Sequence, residues 1–444
     1  MRRDIEKKFE EWKNENRRYP LLLRGARQVG KSYSVRKFGK QYFENIVEIN
    51  FEQNPKFKLC FNTLEPEKII ESISILSNAS IIAGKTLLFL DEIQECPNAI
   101  ISLRYFYEQF PELHIIGAGS LLEFSLSQDN FKMPVGRIQY IFLKPLSFLE
   151  FLYAIGEIKI REIIEKFSWN DLPSKAIHEH ILSFVKLYSI IGGMPAVVQE
   201  YISSKDIKRC LNVQSIIIQT YRDDFGKYAN KIKYKYLQKV FYGVPKFVGK
   251  KFKYSKIDRD MQSRDLKDAL NLLEKAGVVY KVKHSSGNGL PLEAESKENT
   301  FKTFFLDIGL MQNICGLNSE LLLSINDDFI NINNGAIAEQ FVAQELLSYQ
   351  DFYTQSSLFY WVREAKSSNA EVDFIIPCCS KILPVEVKAG KTGTLKSMHL
   401  FFKKNNLSIG VKISQHSFNN TLPVISLPFY AIKNIQKIIK PFIQ

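Results

Sequence analysis

The sequence predicts a multidomain α/β chain: a phosphate-loop parallel sheet first, a helical and winged-helix middle, and a second α/β domain at the carboxyl end. Three observations predict it. An apolar strand runs into a glycine-rich loop at 20–32, basic and aromatic residues crowd into 231–260, and two acids and a lysine fall on strand-like segments at 371–388. The chain has 444 residues, 45% hydrophobic and 24% charged, enough for roughly three domains of about 100–200 residues with their own cores. The expected divisions are 1–158, 159–230 (a helical linker or lid), 231–325 and 326–444.

The first element is Tyr19-Pro-Leu-Leu-Leu-Arg, which feeds into Gly25-Ala26-Arg27-Gln28-Val29-Gly30-Lys31-Ser32, a complete G-x-x-x-x-G-K-[ST] loop. Gly25 and Gly30 permit backbone angles that turn successive N–H groups toward a phosphate. Lys31 is placed to reach the β- and γ-phosphates, and the Ser32 hydroxyl to ligate Mg²⁺. A helix beginning near Lys31 adds about half a unit of positive charge at its amino end. Gly25, Ala26, Arg27, Gln28, Val29, Gly30, Lys31, Ser32 and Tyr33 are thus the expected nucleotide-binding set, with ATP and Mg²⁺ as cofactors.

The next apolar strand, Lys85-Thr-Leu-Leu-Phe-Leu-Asp91-Glu92, ends in two acids. Ligands of open α/β sheets gather at the carboxyl ends of strands. Asp91 is therefore expected to hold Mg²⁺ and Glu92 to polarise the attacking water. A third strand, His114-Ile-Ile-Gly-Ala-Gly119-Ser120, puts Ser120 where it could sense the γ-phosphate. Arg137 is a candidate transition-state charge, acting in cis or across a subunit boundary.

Arg24-Gly-Ala-Arg-Gln-Val-Gly-Lys-Ser, Leu90-Asp-Glu-Ile-Gln and Pro145-Leu-Ser-Phe-Leu-Glu-Phe resemble the signatures of a prokaryotic AAA-type ATPase family. The resemblance extends over essentially the whole chain. It implies an ATPase with a carboxy-terminal region that includes a restriction-endonuclease-like fold. Ser32 stands where threonine is common in such loops, and the hydroxyl is kept.

In the middle, 161–228 reads as helices, with Gly192-Gly193-Met194-Pro195 as a turn that also resembles the family. His178 and His180 face different sides of one helix and make no metal pair; both are expected in solvent. The net charge of the chain is +13, and 231–260 holds ten basic residues against two acids, interleaved with Tyr and Phe. Such a block points to a polyanion, here DNA. The order helix (236–250), short connection (252–258), helix (263–277), strand (278–282), polar stretch (284–300), strand (301–306) matches a winged helix with 285–299 as its wing. Lys250, Lys251, Lys253, Arg259, Arg264 and Lys267 are the expected DNA contacts.

In the last module, the helix at 334–346 carries Glu339, and strands at 359–363 and 371–376 precede Leu383-Pro-Val-Glu386-Val-Lys388. Alternation along a strand puts Glu386 and Lys388 on one face. Asp373, Glu386 and Lys388 form D-x₁₂-E-x-K, which resembles the PD-(D/E)xK nuclease fold. Asp373 and Glu386 would bind Mg²⁺, with Glu339 contributing through water, and Lys388 would orient or activate the attacking water. Trp361 and Arg363 sit where a nucleic-acid contact is conceivable.

No apolar run approaches the ~20 residues a bilayer requires, and the charged start MRRDIEKKFEEW is no signal h-region. Six cysteines give neither a disulfide framework nor a zinc spacing, so a reducing, cytoplasmic setting is expected. The composite expectation is an ATPase that acts on DNA through a nucleotide-regulated nuclease-like domain, with a homo-oligomer possible. The alternatives are a signalling-type ATPase switch and a remodeller whose last domain does not cut.

Overall fold

The computed structural model describes residues 1–119, 136–228, 231–316, 334–364, 370–390 and 395–443, with the side chains of 227–232 and 334 left aside. Ser120 lies outside these residues. The chain forms two units rather than four segments: Met1–Lys144 with Lys275–Gly277 and Asp351–Gln355, and the remainder.

The first unit is built on a five-stranded sheet, β1 (Leu21–Arg24), β2 (Asn45–Asn50), β3 (Thr86–Asp91), β4 (His114–Ala118) and β5 (Gln139–Phe142), in the order β2-β3-β4-β1-β5. Every neighbouring pair is parallel. β3 and β4 are buried at every position, as a sheet covered on both faces demands. The register aligns two strand ends: Leu23 and Asp91 both pair with Ala118 of β4. The amino-terminal helix Ile5–Lys13 buries Ile5, Phe9 and Trp12. Phe9 lies 5.2 Å from Phe38, and the Trp12 indole N–H donates to the Tyr19 carbonyl at 2.7 Å.

The second unit holds a seven-stranded sheet made of β6 (Val279–Ser285), β7 (Ser296–Phe305), β8 (Leu358–Val362), β9 (Glu371–Cys378), β10 (Lys381–Lys388), β11 (Gly410–Ser414) and β12 (Val424–Pro428). The order is β12-β11-β10-β9-β8-β6-β7. This changes the expected division at 325. The hairpin β6–β7 is antiparallel as expected, but β6 also pairs in parallel with β8, so the hairpin and the last module share one sheet. Nor is 285–299 a free wing. β7 begins at Ser296, and Leu292 at the hairpin tip is buried with Phe359, Trp361, Val372 and Phe401. Trp361 is 1% exposed in that cluster, which removes it as a nucleic-acid contact.

The basic block begins with the helix Lys231–Gly243, shorter than its apolar pattern suggests. Pro245 constrains the residue before it, and a tight turn at Val244–Phe247 follows instead. The helix Ser263–Lys275 buries Leu266, Ala269, Leu270 and Leu273 along one side. His178, expected in solvent, is 7% exposed; its ring meets the Tyr430 hydroxyl at 2.8 Å and the Gln415 carbonyl at 3.1 Å. His180 is exposed. All six cysteines are free. Among the described residues no single helix is long and apolar enough to cross a membrane.

The Pro145–Phe151 and Gly192–Pro195 motifs meet inside this second unit. Leu146 N–H donates to the Gly193 carbonyl at 2.7 Å, and Gly193 N–H to Asp307 Oδ2 at 2.6 Å. A Cβ on Gly193 would sit 2.1 Å from the Leu146 carbonyl oxygen, so only glycine allows this approach. Glu345, on the helix Asn334–Ser348, accepts Phe148 N–H at 3.0 Å and the Tyr349 hydroxyl at 2.6 Å. These motifs form a buried polar joint in which each carboxylate is satisfied by named donors.

Burial pushes the Glu345 carboxyl up to about 7, against the pull of the Tyr349 and Phe148 hydrogen bonds. A raised carboxyl favours the folded state while protonated, so its contribution is full below about pH 4.5 and is lost as the pH rises through about 7. Glu345→Gln should therefore flatten the fall of the melting temperature across that window, measured by thermal unfolding. An unchanged slope would remove Glu345 as its source.

Candidate functional site

The first candidate site grows from the aligned ends of β1 and β3. β1 runs into Gly25, whose φ of 148° and crowded surroundings leave no room for a side chain: a Cβ would lie 2.2 Å from the Leu143 carbonyl oxygen. Gln28 (φ 64°) and Gly30 (φ 95°) also adopt left-handed angles, curling the loop as an anion-binding nest requires. The helix Lys31–Tyr42 begins directly from it. Arg3 braces the loop from outside; its guanidinium donates to the Val29 carbonyl at 3.0 Å and the Lys144 carbonyl at 2.7 Å. Tyr33 is exposed, and its hydroxyl accepts the Met1 amino group at 2.7 Å.

Lys31 is 8% exposed, and its ammonium donates to the Gly25 and Ala26 carbonyls at 2.8 and 2.9 Å. Burial lowers it to about 8, with Glu92 and Asp91 pulling the other way. The Ser32 hydroxyl lies 3.0 Å from each Asp91 carboxylate oxygen. Asn50 Nδ2 stands 3.3 Å from Asp91 Oδ2, and Arg36, doubly bound to Glu48, is 3.9 Å away. Burial raises the Asp91 carboxyl and the Ser32 hydrogen bond lowers it.

Glu92 closes β3 in a left-handed conformation, φ 48° and ψ 47°, that non-glycine residues adopt at a cost. Its Oε2 accepts Gln94 Nε2 at 2.6 Å. Gln94 is buried, and its Oε1 has no hydrogen-bond partner among the described residues. A Cβ on Gly119 would fall 2.3 Å from that oxygen, so glycine at the end of β4 makes room for Gln94. Gln94 thus links the last residues of β3 and β4. The D-E-I-Q string held this residue in view, yet spacing alone gave it no role.

The donor set fits a magnesium nucleotide. A hydroxyl and a carboxylate share one point, as expected for an ion that completes its shell with phosphate oxygens and water. Ser32 and Asp91 are the residues that would hold it. Arg137 is not gathered here. It precedes β5, which runs parallel to β1, so it lies at the amino-terminal edge of the sheet, opposite the loop. There its guanidinium pairs with Glu108 at 3.0 Å and stands over the Tyr107 ring. This placement corrects the expectation of a cis role.

The second candidate site lies in the second unit, where Asp373, Glu386, Lys388 and Glu339 do converge. Lys388 Nζ meets Glu386 Oε1 at 2.6 Å, and Asp373 Oδ2 accepts Val387 N–H at 2.8 Å. Burial and Asp373 push the Glu386 carboxyl up to about 7, against Lys388. A residue that sequence reasoning missed stands among them. Lys302 of β7, with a fully buried side chain, reaches Glu371 at 2.6 Å, Glu339 at 3.1 Å and Asp373 at 3.5 Å. Burial opposes its charge, but the three carboxylates overcome this and hold the ammonium above the ordinary lysine range. A lysine in the otherwise aromatic run Phe301-Lys-Thr-Phe-Phe was the available signal.

As arranged, these acids do not fit a divalent ion. Three of the carboxylates already converge on an ammonium group. Among the described residues no three His, Cys, Asp or Glu side chains are disposed to hold a metal. The expected Mg²⁺ ligands Glu339, Asp373 and Glu386 are therefore corrected to partners of lysines and backbone.

Of the expected DNA contacts, Lys250, Lys251, Lys253, Arg259, Arg264 and Lys267 are all exposed. Arg264 and Lys267 flank Leu266 on the helix whose other side is buried. Arg363 is exposed as well.

Comparison with known proteins matches three separate stretches of the chain. Residues 17–152 match the family described as AAA domain. Residues 184–321 and 334–430 match two families described as domains of unknown function (DUF8612 and DUF4143). No curated protein matches. Among solved structures, the chain is similar to the ORC1 protein of Aeropyrum pernix in complex with DNA, at 11% identity over 70% of this chain and 91% of that one, TM-score 0.28. The ORC2 protein of the same organism, in ADPNP and ADP complexes, aligns at 11% identity over 69% and 88%, TM-score 0.34. A RuvB variant from Thermotoga maritima aligns at 16% over 63% and 89%, TM-score 0.29. With the phosphate loop, Ser32 and Asp91 assembled at the ends of parallel strands, the segment 17–152 is an AAA-type P-loop ATPase domain.

Proposed function

We propose that this protein is a magnesium-dependent ATPase whose nucleotide state governs a DNA-gripping surface on its second unit. The observation that carries the first half is the Ser32 hydroxyl held 3.0 Å from both oxygens of Asp91, beside a buried Lys31. In this reading the loop N–H groups and Lys31 take the triphosphate, and Ser32 and Asp91 hold Mg²⁺, which neutralises charge between the β- and γ-phosphates. Glu92 polarises the attacking water, and Gln94, bound to its Oε2, fixes where that carboxylate points. Arg137 has no part in this step.

Support for DNA comes from the surface rather than from the site. Seven basic side chains at 250–267 are exposed on one unit, and phosphate-backbone binding needs little more than clustered positive charge. The chain also returns twice to the ATPase unit. Lys275–Gly277 follows the helix bearing Arg264 and Lys267, and a Cβ on Gly277 would lie 3.5 Å from Ala26 N in the phosphate loop. Asp351–Gln355 precedes β8, and its Phe352 carbonyl accepts Phe142 N–H of β5 at 2.8 Å. These crossings give the loop a covalent route to the basic helix. The carboxy-terminal acids receive no catalytic step, because three of them close on Lys302.

Lys31→Ala should abolish ATP binding. In the unaltered protein, binding should weaken about tenfold per pH unit above about pH 8, because the triphosphate requires the charged lysine. Titration calorimetry with magnesium ATP reads both effects, and a flat profile would detach Lys31 from the phosphates. Glu92→Gln should bind ATP with near-unchanged affinity while phosphate release drops by about 100-fold or more. Equal turnover would remove Glu92 from the water-positioning role. Reversing the charges of Lys250, Lys251 and Lys253 together should weaken duplex binding and reduce the slope of log affinity against log salt by about 3. Fluorescence anisotropy at several salt concentrations tests this, and an unchanged slope would place DNA elsewhere or nowhere.

A further inference from the structure

We propose that Lys302 is a tethered cation that takes the place of a divalent metal ion in the acid cluster of the second unit, making that cluster metal-independent. Four carboxylates, Glu339, Glu371, Asp373 and Glu386, come from one helix and two strands. Such a convergence of acids needs positive charge at its centre. Lys302 supplies it from β7, a strand outside the D-x₁₂-E-x-K pattern. Its ammonium meets Glu371, Glu339 and Asp373 within 3.5 Å, and the side chain is 0% exposed. It stands 5.4 Å from the centre of the Tyr360 ring, which favours a cation at that point.

Three geometric facts fix it there. Lys302 pairs through its backbone with Val282 of β6 and forms an isolated bridge with Lys251, so its Cα is held from both sides. Gly249, at φ 74°, passes so close that a Cβ would lie 2.8 Å from Glu339 Oε2, which closes that flank. The remaining oxygens are largely committed: Asp373 Oδ2 to Val387 N–H and Glu386 Oε1 to Lys388. Glu386 Oε2 is buried without a hydrogen-bond partner among the described residues. A divalent ion would have to displace the Lys302 ammonium from Glu371, Glu339 and Asp373 to reach this oxygen and its neighbours. An ammonium also cannot do what a metal does for phosphodiester cleavage, since it has no open coordination position for water. The acids and lysines of the pattern thus serve as an ionic joint between the β6–β7 hairpin and β9.

The test uses the full chain carrying Asp91→Asn, so that the ATPase site contributes no ion binding, and manganese chloride alone as the probe. Electron paramagnetic resonance counts bound Mn²⁺, and thermal unfolding reads its effect. With Lys302 present, no Mn²⁺ binding at millimolar concentration and no shift in melting temperature are expected. Lys302→Ala should melt lower, bind one Mn²⁺ at least tenfold more tightly than the parent, and recover part of its melting temperature when Mn²⁺ is added. Lys302→Ala combined with Glu371→Gln removes one charge of each sign. It should fold without the ion and bind Mn²⁺ more weakly than the single variant. Mn²⁺ binding to the parent that disappears on Asp373→Asn would overturn the proposal. So would a Lys302→Ala protein that folds but binds no Mn²⁺, or one that stays unfolded even with the ion. The ATPase reading stands or falls separately, on nucleotide binding in the unaltered chain.

Discussion

Ser32 and Asp91 lie on separate segments of the chain, and the ATPase site depends on their meeting at one point. The meeting is imposed by register rather than by attraction between the two side chains. Leu23 and Asp91 are both partners of Ala118, so β1 and β3 end level with each other on either side of β4. The loop then has one residue, Arg24, before Gly25 must turn, and the contact of Gly25 with the Leu143 carbonyl forces that turn to be sharp. Slipping β3 by one residue against β4 would flip Asp91 to the other face of the sheet and dissolve the pair. The apolar continuity of Leu87–Leu90 is therefore as necessary to the chemistry as the acid that follows it, because it fixes the depth at which that acid emerges.

The second unit buries charge in two ways. Around Asp307 and Glu345 the solution is neutral donors: backbone N–H groups of Gly193, Leu310 and Phe148, the Gln344 amide and the Tyr349 hydroxyl. Burial then raises both carboxyls, Asp307 to about 6 and Glu345 to about 7, so they approach neutrality near physiological pH. Around Lys302 the solution is a countercharge, although burial still pushes the Glu339 carboxyl up to about 8 and the Glu386 carboxyl to about 7. Removing one partner of such a buried cluster typically costs about 3–5 kcal/mol, because a charge is left behind in a low dielectric. Pro145–Phe151 and Gly192–Pro195 hold the second unit together by hydrogen bonds that only glycine and short polar side chains allow.

What was legible in the sequence was what is local. The phosphate loop, the acids ending β3, and the E-x-K strand carry their meaning within a dozen residues, and each lies on the element expected for it. For Arg137 the cis half of the expectation fails although its signal was also local: it stands two residues before a strand parallel to β1, which puts it at the opposite end of the sheet from its own loop. The free wing was misjudged for a different reason. Alternation and turn residues announce a hairpin, but nothing in 279–305 says that β6 will accept β8, a strand far along the chain, on its other edge. Lys302 was invisible for the same cause. Its three acid partners lie on a helix and a strand that follow only later in the chain, and a lone lysine on a strand ordinarily reads as a solvated face. His178 shows the reverse case, a helix position that reads as surface until Tyr430 and Gln415 arrive from the carboxyl end.

The basic surface and the acid cluster are neighbours, and this gives Lys302 a consequence beyond stability. Gly249 lies against Glu339, and Lys251 bridges the backbone of Lys302, while the side chains of Lys250, Lys251 and Lys253 are exposed. Electrostatic interactions at physiological ionic strength reach about 8 Å before they are screened. A group of uncompensated carboxylates within that range would offset the positive field of those lysines. Lys302 from within and Lys388 from the strand reduce that field without using any of the exposed cations. The same ammonium that closes the cluster to a metal ion thus leaves the adjoining surface positive.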